Sequence, residues 1–199
     1  MSNLIKIKKI SFAVICTLFI FSKITFADNL LVSANGIKLG ESALKYFDKN
    51  FIESKKMFIY KSKDYFMIFA NEEQINIRNN DSEYTIVSVD EGILMSFEDC
   101  KKKIKLLINH IEKVVPTVKR KEKGSAENPR KHWNDPSGKS LVFGTDFYLN
   151  ESPENGPVIR TKCVDWSTEI ENSKNWQDNL GKTINLKEFN LFLIKMYGG

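Results

Sequence analysis

The chain has 199 residues, of which 42% are hydrophobic and 28% are charged, and its formal net charge is +5. Four lysines and no acid lie in residues 1–27, so residues 28–199 hold 26 basic and 25 acidic side chains, a net charge of +1. This balance does not support the global basic field of a nucleic-acid-binding protein, and two histidines exclude a His-rich metal site.

The N-terminal segment has the three parts of a secretory signal peptide. Three lysines precede an apolar run at 10–21, and the small residues Thr25 and Ala27 stand before Asp28. That run has 12 residues, whereas a helix that spans a membrane needs about 20. We therefore predict a signal peptide at 1–27, cleavage between Ala27 and Asp28, and a periplasmic or secreted protein with no stable membrane span after cleavage. An uncleaved membrane anchor is the alternative.

Residues 28–199 retain two of the three cysteines, Cys100 and Cys163, because Cys16 lies in the signal segment. An even pair in an oxidising compartment indicates a disulfide, and two unpaired buried thiols are the alternative. The bond would close a loop of about 60 residues, which contributes about 4 kcal/mol in the chain-entropy model. The length of this part of the chain fits a single domain with its own core.

The first half of the chain predicts one short helix and a set of strands. Apolar spacing indicates a helix near 41–48, and a strand of apolar residues follows at 65–69. An alternating strand at 75–78 and a turn at 79–81 lead to a return strand that begins at 83 and can continue to 95.

The clearest element is an amphipathic helix at about 97–113. Ser96 is a good N-cap, and Pro116 ends the helix. Cys100 lies on its apolar stripe and is therefore expected to point inward. The solvent side carries lysines that form either an ordinary solvated face or a contact with an anionic surface, namely Lys101, Lys102, Lys103 and Lys105.

Charge, proline and glycine dominate residues 116–140, which we predict to be a long loop that begins with an extended stretch. The net charge from Lys113 to His132 is +5, whereas that from Asp146 to Glu171 is −4. The two segments can complement each other, or the loop can meet an envelope protein, an anionic lipid or a polysaccharide. Its candidate interaction residues are Lys119, Arg120, Lys121, Lys123, Arg130, Lys131, His132 and Trp133.

The last third of the chain predicts a strand pair followed by a helix. Strands at 141–149 and 158–166 are joined by a short connection and are therefore expected to be antiparallel. Residues 167–179 read as loop or irregular helix, 182–184 as a short strand and 186–197 as a helix. The whole pattern predicts an α+β fold in which the long helix packs on an antiparallel sheet.

Three patterns suggest chemistry, and each has a simpler explanation. Gly138-Lys139-Ser140 resembles the end of a phosphate loop, but the required upstream glycine is missing and a strand follows. His132, Asp135 and Ser137 share one turn, where a hydrolytic triad normally draws on separate elements. Such residues on a Pro/Gly loop are more simply turn formers.

Carboxylates cluster around the second cysteine. Asp165 with Glu169 and Glu171 can supply the acid pair of a glycoside hydrolase, while the simpler interpretation is solvated acids beside a core Trp166. His110 lies near the C-terminal end of the long helix, where the helix dipole favours its charged form.

Several short motifs together resemble a group of small exported bacterial proteins of unknown function. They are Asn35-Gly-Ile-Lys-Leu-Gly-Glu-Ser42, Phe97-Glu-Asp-Cys100, Ser137-Gly-Lys-Ser140, Cys163-Val-Asp-Trp-Ser167 and Asn185-Leu-Lys-Glu-Phe189. The resemblance implies export and an α+β fold, and because its motifs are structural it assigns no catalytic residue. A looser similarity, over about 20 residues, is to periplasmic α+β modules such as outer-membrane assembly lipoproteins and β-lactamase-inhibitor-like domains, whose lipidation cysteine this chain lacks.

The sequence therefore predicts a non-enzymatic binding or interaction module of the cell envelope. We expect no cofactor, no metal and no nucleic acid as a partner. The alternative is a small periplasmic hydrolase that uses His132 with Asp135, or carboxylates near Asp165.

Overall fold

A computed structural model describes residues 30–197, so the signal segment predicted at 1–27 and its cleavage site lie outside the described residues. Within residues 30–197 the chain forms an eight-stranded antiparallel sheet in the order β1-β2-β3-β8-β7-β6, with both β4 and β5 on the outer edge of β6. The α+β class is confirmed. The strands are β1 (Tyr65–Ala70), β2 (Glu73–Arg78), β3 (Ile86–Leu94), β4 (Lys119–Lys123), β5 (Arg130–Lys131), β6 (Leu141–Tyr148), β7 (Val158–Asp165) and β8 (Asn179–Asn185).

Four α-helices accompany the sheet in the same stretch of chain. Helices α2 and α4 occupy the predicted positions, and the segment predicted as loop or irregular helix contains α3. Across residues 30–197 no helix combines the length and the apolar character that crossing a membrane requires. The helices are α1 (Lys49–Lys55), α2 (Phe97–Val114), α3 (Thr168–Lys174) and α4 (Lys187–Tyr197).

The helix predicted near 41–48 needs correction. Residues Ala43–Lys45 form only a short 3-10 turn, and the α-helix begins at Lys49. The reason is local capping, because the Asp48 side chain accepts a hydrogen bond from the Phe51 N–H at 2.9 Å and so marks the start of α1.

The loop predicted at 116–140 also needs correction, since it contains β4 and β5. Each residue of β4 pairs with β6, from Lys119 opposite Tyr148 to Lys123 opposite Gly144. Lysine and glutamate have low strand propensity, but the unpaired edge of β6 offers backbone partners, and this tertiary context overrides propensity. A lysine-rich strand at a sheet edge also discourages pairing with other chains.

Helix α2 packs on one face of the sheet. Cys100 and Ile104 of the helix are buried against Phe143, Cys163 and Leu180 of the strands. The predicted disulfide is present, with the Cα atoms of Cys100 and Cys163 5.8 Å apart and both side chains fully buried. Because neighbouring residues of a strand alternate between faces, Cys163 fixes which side chains of β7 point toward α2 and which point away.

Helix α4 covers part of the opposite face. Phe189 and Phe192 of α4 pack edge to face or at a tilt against Tyr65 of β1, with ring centroids 5.0 and 4.8 Å apart. Asn190 accepts a hydrogen bond from the Arg160 guanidinium at 2.6 Å. The half of this face formed by β4, β6 and β7 carries the candidate site.

Candidate binding surface

All three tryptophans of the chain lie in one cluster with His132. The ring centroids of Trp133 and His132 are 4.3 Å apart and stacked, those of His132 and Trp166 are 4.2 Å apart, and those of Trp166 and Trp176 are 4.6 Å apart. The two ends face solvent, since Trp133 is 76% exposed and Trp176 is 39% exposed. We call these four residues the tryptophan row.

The row is assembled from three places in the chain. His132 and Trp133 follow β5, Trp166 follows β7, and Trp176 precedes β8. The Asp178 carboxylate accepts the Trp166 backbone N–H at 2.7 Å, which ties the end of β7 to the start of β8. Trp166 is half-buried within the row, so its interpretation as a core tryptophan is wrong.

Asp135 fixes the turn that carries the row. Its carboxylate accepts hydrogen bonds from the backbone N–H groups and hydroxyls of Ser140 and Ser137, at 2.6 to 2.9 Å, and from the Ser167 hydroxyl at 3.0 Å. These donors, Ser140 first and Ser137 second, hold the pKa of the Asp135 carboxyl well below its ordinary value. Ser167 directly follows Trp166, so one carboxylate joins both halves of the row.

His132 is buried and uncharged. Its Nδ1 accepts the Asn134 N–H at 3.1 Å, and burial, followed by the nearby Lys162 charge, lowers its pKa to about 4. At neutral pH the ring is therefore a neutral aromatic spacer between Trp133 and Trp166. Within residues 30–197 no hydrogen bond joins the His132 side chain to an acid or a hydroxyl.

The carboxylates near the second cysteine fall into two groups, with Asp178 and Glu171 close to Asp165 and Glu169 turned toward Lys139. Asp165 is half-buried in β7, and burial first and the carboxylates of Asp178 and Glu171 second raise its pKa. Glu169 instead forms an ion pair with Lys139 at 3.7 Å.

The face of the sheet that points away from α2 is rich in cations beside the row. Four cations of β4 and β5 lie opposite β6 residues of this face, namely Lys119, Lys121, Lys123 and Arg130. The β7 cations alternate with Cys163. We define the basic face as the six cations Lys119, Lys121, Lys123, Arg130, Arg160 and Lys162.

Three acids contact these six cations. Glu151 lies 4.0 Å from the Lys119 ammonium. Asp146 is contacted by the Arg160 guanidinium at 3.5 Å and by the Lys123 ammonium at 3.9 Å. The Lys162 ammonium lies 3.4 Å from Asp90. With six cations and three acids, the basic face has an excess of positive charge, although residues 28–199 as a whole are nearly neutral.

A strip of three glycines and Lys162 crosses the sheet on the basic face, and the Lys162 side chain lies over Gly181. Register aligns Gly92 with Gly181, Gly181 with Lys162, and Lys162 with Gly144. Gly144 has no room for a side chain, because a Cβ there would lie 1.9 Å from the Thr161 carbonyl oxygen. Trp166 is four residues beyond Lys162 in the chain, so the strip and the tryptophan row cross the strands about 13 Å apart.

The residues predicted as an interaction loop fall on different surfaces. Three lysines and Arg130 join the basic face, and His132 and Trp133 join the row. Arg120 points to the other face and contacts Glu112 at 2.6 Å. Lys131 is exposed opposite Leu141. The expected charge complementarity is present in the pairs Lys123–Asp146 and Lys119–Glu151.

Sequence reasoning missed Trp166, Trp176, Arg160 and Lys162 as members of one surface. A signal was available in β7, because Arg160 and Lys162 alternate with Cys163, which was already expected to point inward. Nothing local places Trp176 beside Trp166, since the two strands meet there only through the fold.

No group of histidine, cysteine, aspartate or glutamate suited to hold a metal ion is found in the part of the chain that the structure describes. No protein-family model, curated protein or solved structure matches this chain.

Proposed function

We propose that this protein is an exported, non-enzymatic binding module of the cell envelope that holds its partner on the tryptophan row and the basic face. The observation that carries the proposal is the gathering of all three tryptophans in one partly exposed cluster beside a cationic sheet face. Tryptophan and arginine are the residues most enriched where binding energy concentrates. Export rests on the N-terminal pattern alone and is part of the proposal.

The rigidity of the row supports a binding role. Asp135 fixes the turn through five hydrogen bonds, and His132 separates Trp133 from Trp166 as a neutral ring. A surface already fixed in its bound geometry loses little conformational entropy when a partner arrives.

A hydrolytic role has weaker support. Asp135 uses its carboxylate oxygens to hold serines of its own turn and of the segment after β7, so it does not orient His132. General base catalysis needs an oriented base beside a nucleophile.

The proposal is tested by co-sedimentation of residues 28–199, with the disulfide intact, with a purified bacterial cell-envelope fraction. Intrinsic fluorescence gives a second readout, because every tryptophan of the chain belongs to the row. We expect the wild-type protein to sediment with the envelope and its fluorescence to change. The variant Trp133→Ala should sediment about tenfold less.

The matched control is Leu106→Ala, which removes a side chain that is 70% exposed on α2, away from the row. It should behave as the wild type. Equal sedimentation of Trp133→Ala and wild type, or no sedimentation of either, would contradict the proposal.

A further inference from the structure

We propose that helix α4 is a latch that leaves the sheet while the rest of the fold stays intact, and thereby uncovers a polar floor beside Arg160. We define the polar floor as Asn76, Ser88 and Asn185, which are neighbours across β2, β3 and β8. The inference goes beyond the proposed function, because it concerns which part of the sheet is accessible and involves no partner. It rests on unpaired polar atoms beneath α4 and on the contacts that hold this helix to the sheet.

The sheet face beneath α4 is polar where a permanently covered face would be apolar. Register places Asn76 opposite Ser88 and Ser88 opposite Asn185, and all three residues are at most 2% exposed. They lie on the face away from α2, because Leu180 of β8 packs with Cys163 toward α2 and strand residues alternate between faces. A helix that packs on a sheet ordinarily buries apolar side chains on both surfaces, as α2 does.

Three atoms of the polar floor have no hydrogen-bond partner among residues 30–197. They are the Ser88 Oγ and both polar side-chain atoms of Asn185. The neighbouring Asn76, in contrast, accepts a hydrogen bond from the Tyr60 hydroxyl at 3.2 Å. A buried polar group without a partner has lost its hydrogen bonds to water, which destabilises the closed position of α4. When α4 leaves the sheet, water can pair with all three atoms.

The apolar contacts of α4 are concentrated in its first turn. Phe189 is 1% exposed, and its ring centroid lies 5.8 Å from that of Tyr60 and 5.0 Å from that of Tyr65. The apolar residues that follow are only half-buried, namely Leu191, Phe192, Leu193, Ile194 and Met196. A terminal helix that buries so little of its apolar surface opens at a lower free energy than the core of the sheet.

The polar contacts of α4 connect it to the basic face. The Asn190 side chain accepts a hydrogen bond from the Arg160 guanidinium at 2.6 Å and donates one to the Pro153 carbonyl oxygen at 3.1 Å. Glu188 pairs with Arg78 at an exposed position, where an ion pair contributes little to stability. Opening of α4 therefore releases one cation of the basic face together with the polar floor.

The test measures how fast a single added cysteine reacts with iodoacetamide in residues 28–199, with the disulfide intact. The variants Ser88→Cys and Val89→Cys place it at neighbouring positions on opposite faces of β3, both at most 1% exposed. After correction for the unfolding free energy of each variant, Ser88→Cys should react at least about tenfold faster than Val89→Cys. Low urea should barely change the Ser88→Cys rate and should steeply raise the Val89→Cys rate, since the urea dependence follows the surface that opening exposes.

Second substitutions in the Ser88→Cys protein connect this opening to α4. Asn190→Ala removes two hydrogen bonds between the helix and the rest of the fold and should raise the rate about fivefold. Its control is Lys195→Ala, which changes an exposed side chain of the same helix and should leave the rate unchanged. Asn185→Leu keeps a side chain of similar size without the unpaired polar atoms and should lower the rate about fivefold.

Equal rates with the same urea dependence in Ser88→Cys and Val89→Cys would overturn the inference, because α4 would then stay closed until the whole protein unfolds. Equal effects of Asn190→Ala and Lys195→Ala would show that opening does not involve α4. A faster rate in Asn185→Leu would show that the Asn185 amide is paired in the closed state, and the latch would have to be abandoned. None of these results depends on a binding partner, so they are independent of the proposed function.

Discussion

The ring centroids of His132 and Trp166 lie 4.2 Å apart, although His132 follows β5 at the edge of the sheet and Trp166 follows β7. This contact joins Trp133 to Trp176 through a neutral imidazole and makes a single aromatic surface of four rings. The surface lies at one end of the basic face. The proposed binding surface therefore depends on a contact that forms only when the turn after β5 folds against the end of β7.

Burial of His132 predicts a specific dependence of stability on pH. Its pKa is about 4 in the folded protein and 6.5 in the unfolded chain, so protons bind the unfolded state more tightly. The contribution of neutral His132 to stability is fully present above pH 6.5. It is lost progressively as the pH falls from 6.5 to about 4. After allowance for solvent screening, we expect the free energy of unfolding to fall by roughly 2 kcal/mol across this pH range, as measured by urea denaturation.

The variant His132→Phe should remove most of that pH dependence, because phenylalanine keeps the ring and does not titrate. His110→Gln is the control, since His110 is exposed on α2 and is the only other histidine of the chain. An unfolding free energy of the wild type that stays constant from pH 6.5 to 4 would show that His132 is not buried in this way.

Two glycines of the strip are expected to differ in how much their replacement by alanine changes stability. Gly144→Ala should destabilise the protein by about 2 kcal/mol or more, because its Cβ would lie 1.9 Å from the Thr161 carbonyl oxygen on β7. Gly92→Ala meets nothing within 4 Å and should change stability by less than about 1 kcal/mol, in either direction. Thermal unfolding of both variants checks the pairing of β6 with β7, and equal Tm shifts would refute it.

The disulfide predicts a loss of stability on reduction. Joint replacement of Cys100 and Cys163 by alanine should lower the free energy of unfolding by about 2–5 kcal/mol, because the unfolded chain is no longer constrained. A reducing agent should have the same effect on the wild type and none on the double variant. Uptake of two equivalents of thiol reagent by the unreduced native protein would argue against the bond.

The proposed export predicts a defined N-terminus. When the full chain is expressed in a bacterium with a C-terminal tag, intact-mass measurement should find a product that begins at Asp28 in the periplasmic or extracellular fraction. Replacement of Ala27 by a bulky residue such as tyrosine should leave the precursor uncleaved, while Asn29→Tyr serves as the control. A full-length product in the cytoplasm would contradict this prediction.

The elements with strong local signals were predictable. Helix α2 follows from the Ser96 cap and the regular apolar stripe, and the β6–β7 pair follows from alternation and a short connection. The disulfide was predictable from the helical stripe and the strand alternation together, because Cys100 lies on the stripe and Cys163 at an inward strand position.

The remaining features depend on contacts between distant segments. Strand β4 consists of lysine, arginine and glutamate. It forms because β6 offers a free edge, and the propensities of its own residues do not predict a strand. The tryptophan row depends on Asp135 binding Ser167, a contact between two turns whose proximity only the sheet topology provides. For this reason the sequence indicated a basic interaction loop, but not the aromatic surface beside it.

The most direct test of the central claim is a lysine acetylation footprint of residues 28–199, free and bound to the bacterial cell-envelope fraction. The lysines of β4 and those of α2 provide an internal comparison, since both groups are solvent-accessible and they lie on opposite sides of the sheet. We predict that binding protects Lys119, Lys121 and Lys123 from acetylation and leaves Lys102, Lys103 and Lys105 as reactive as in the free protein. Protection confined to α2, or equal reactivity of the β4 lysines in the free and bound states, would contradict the account.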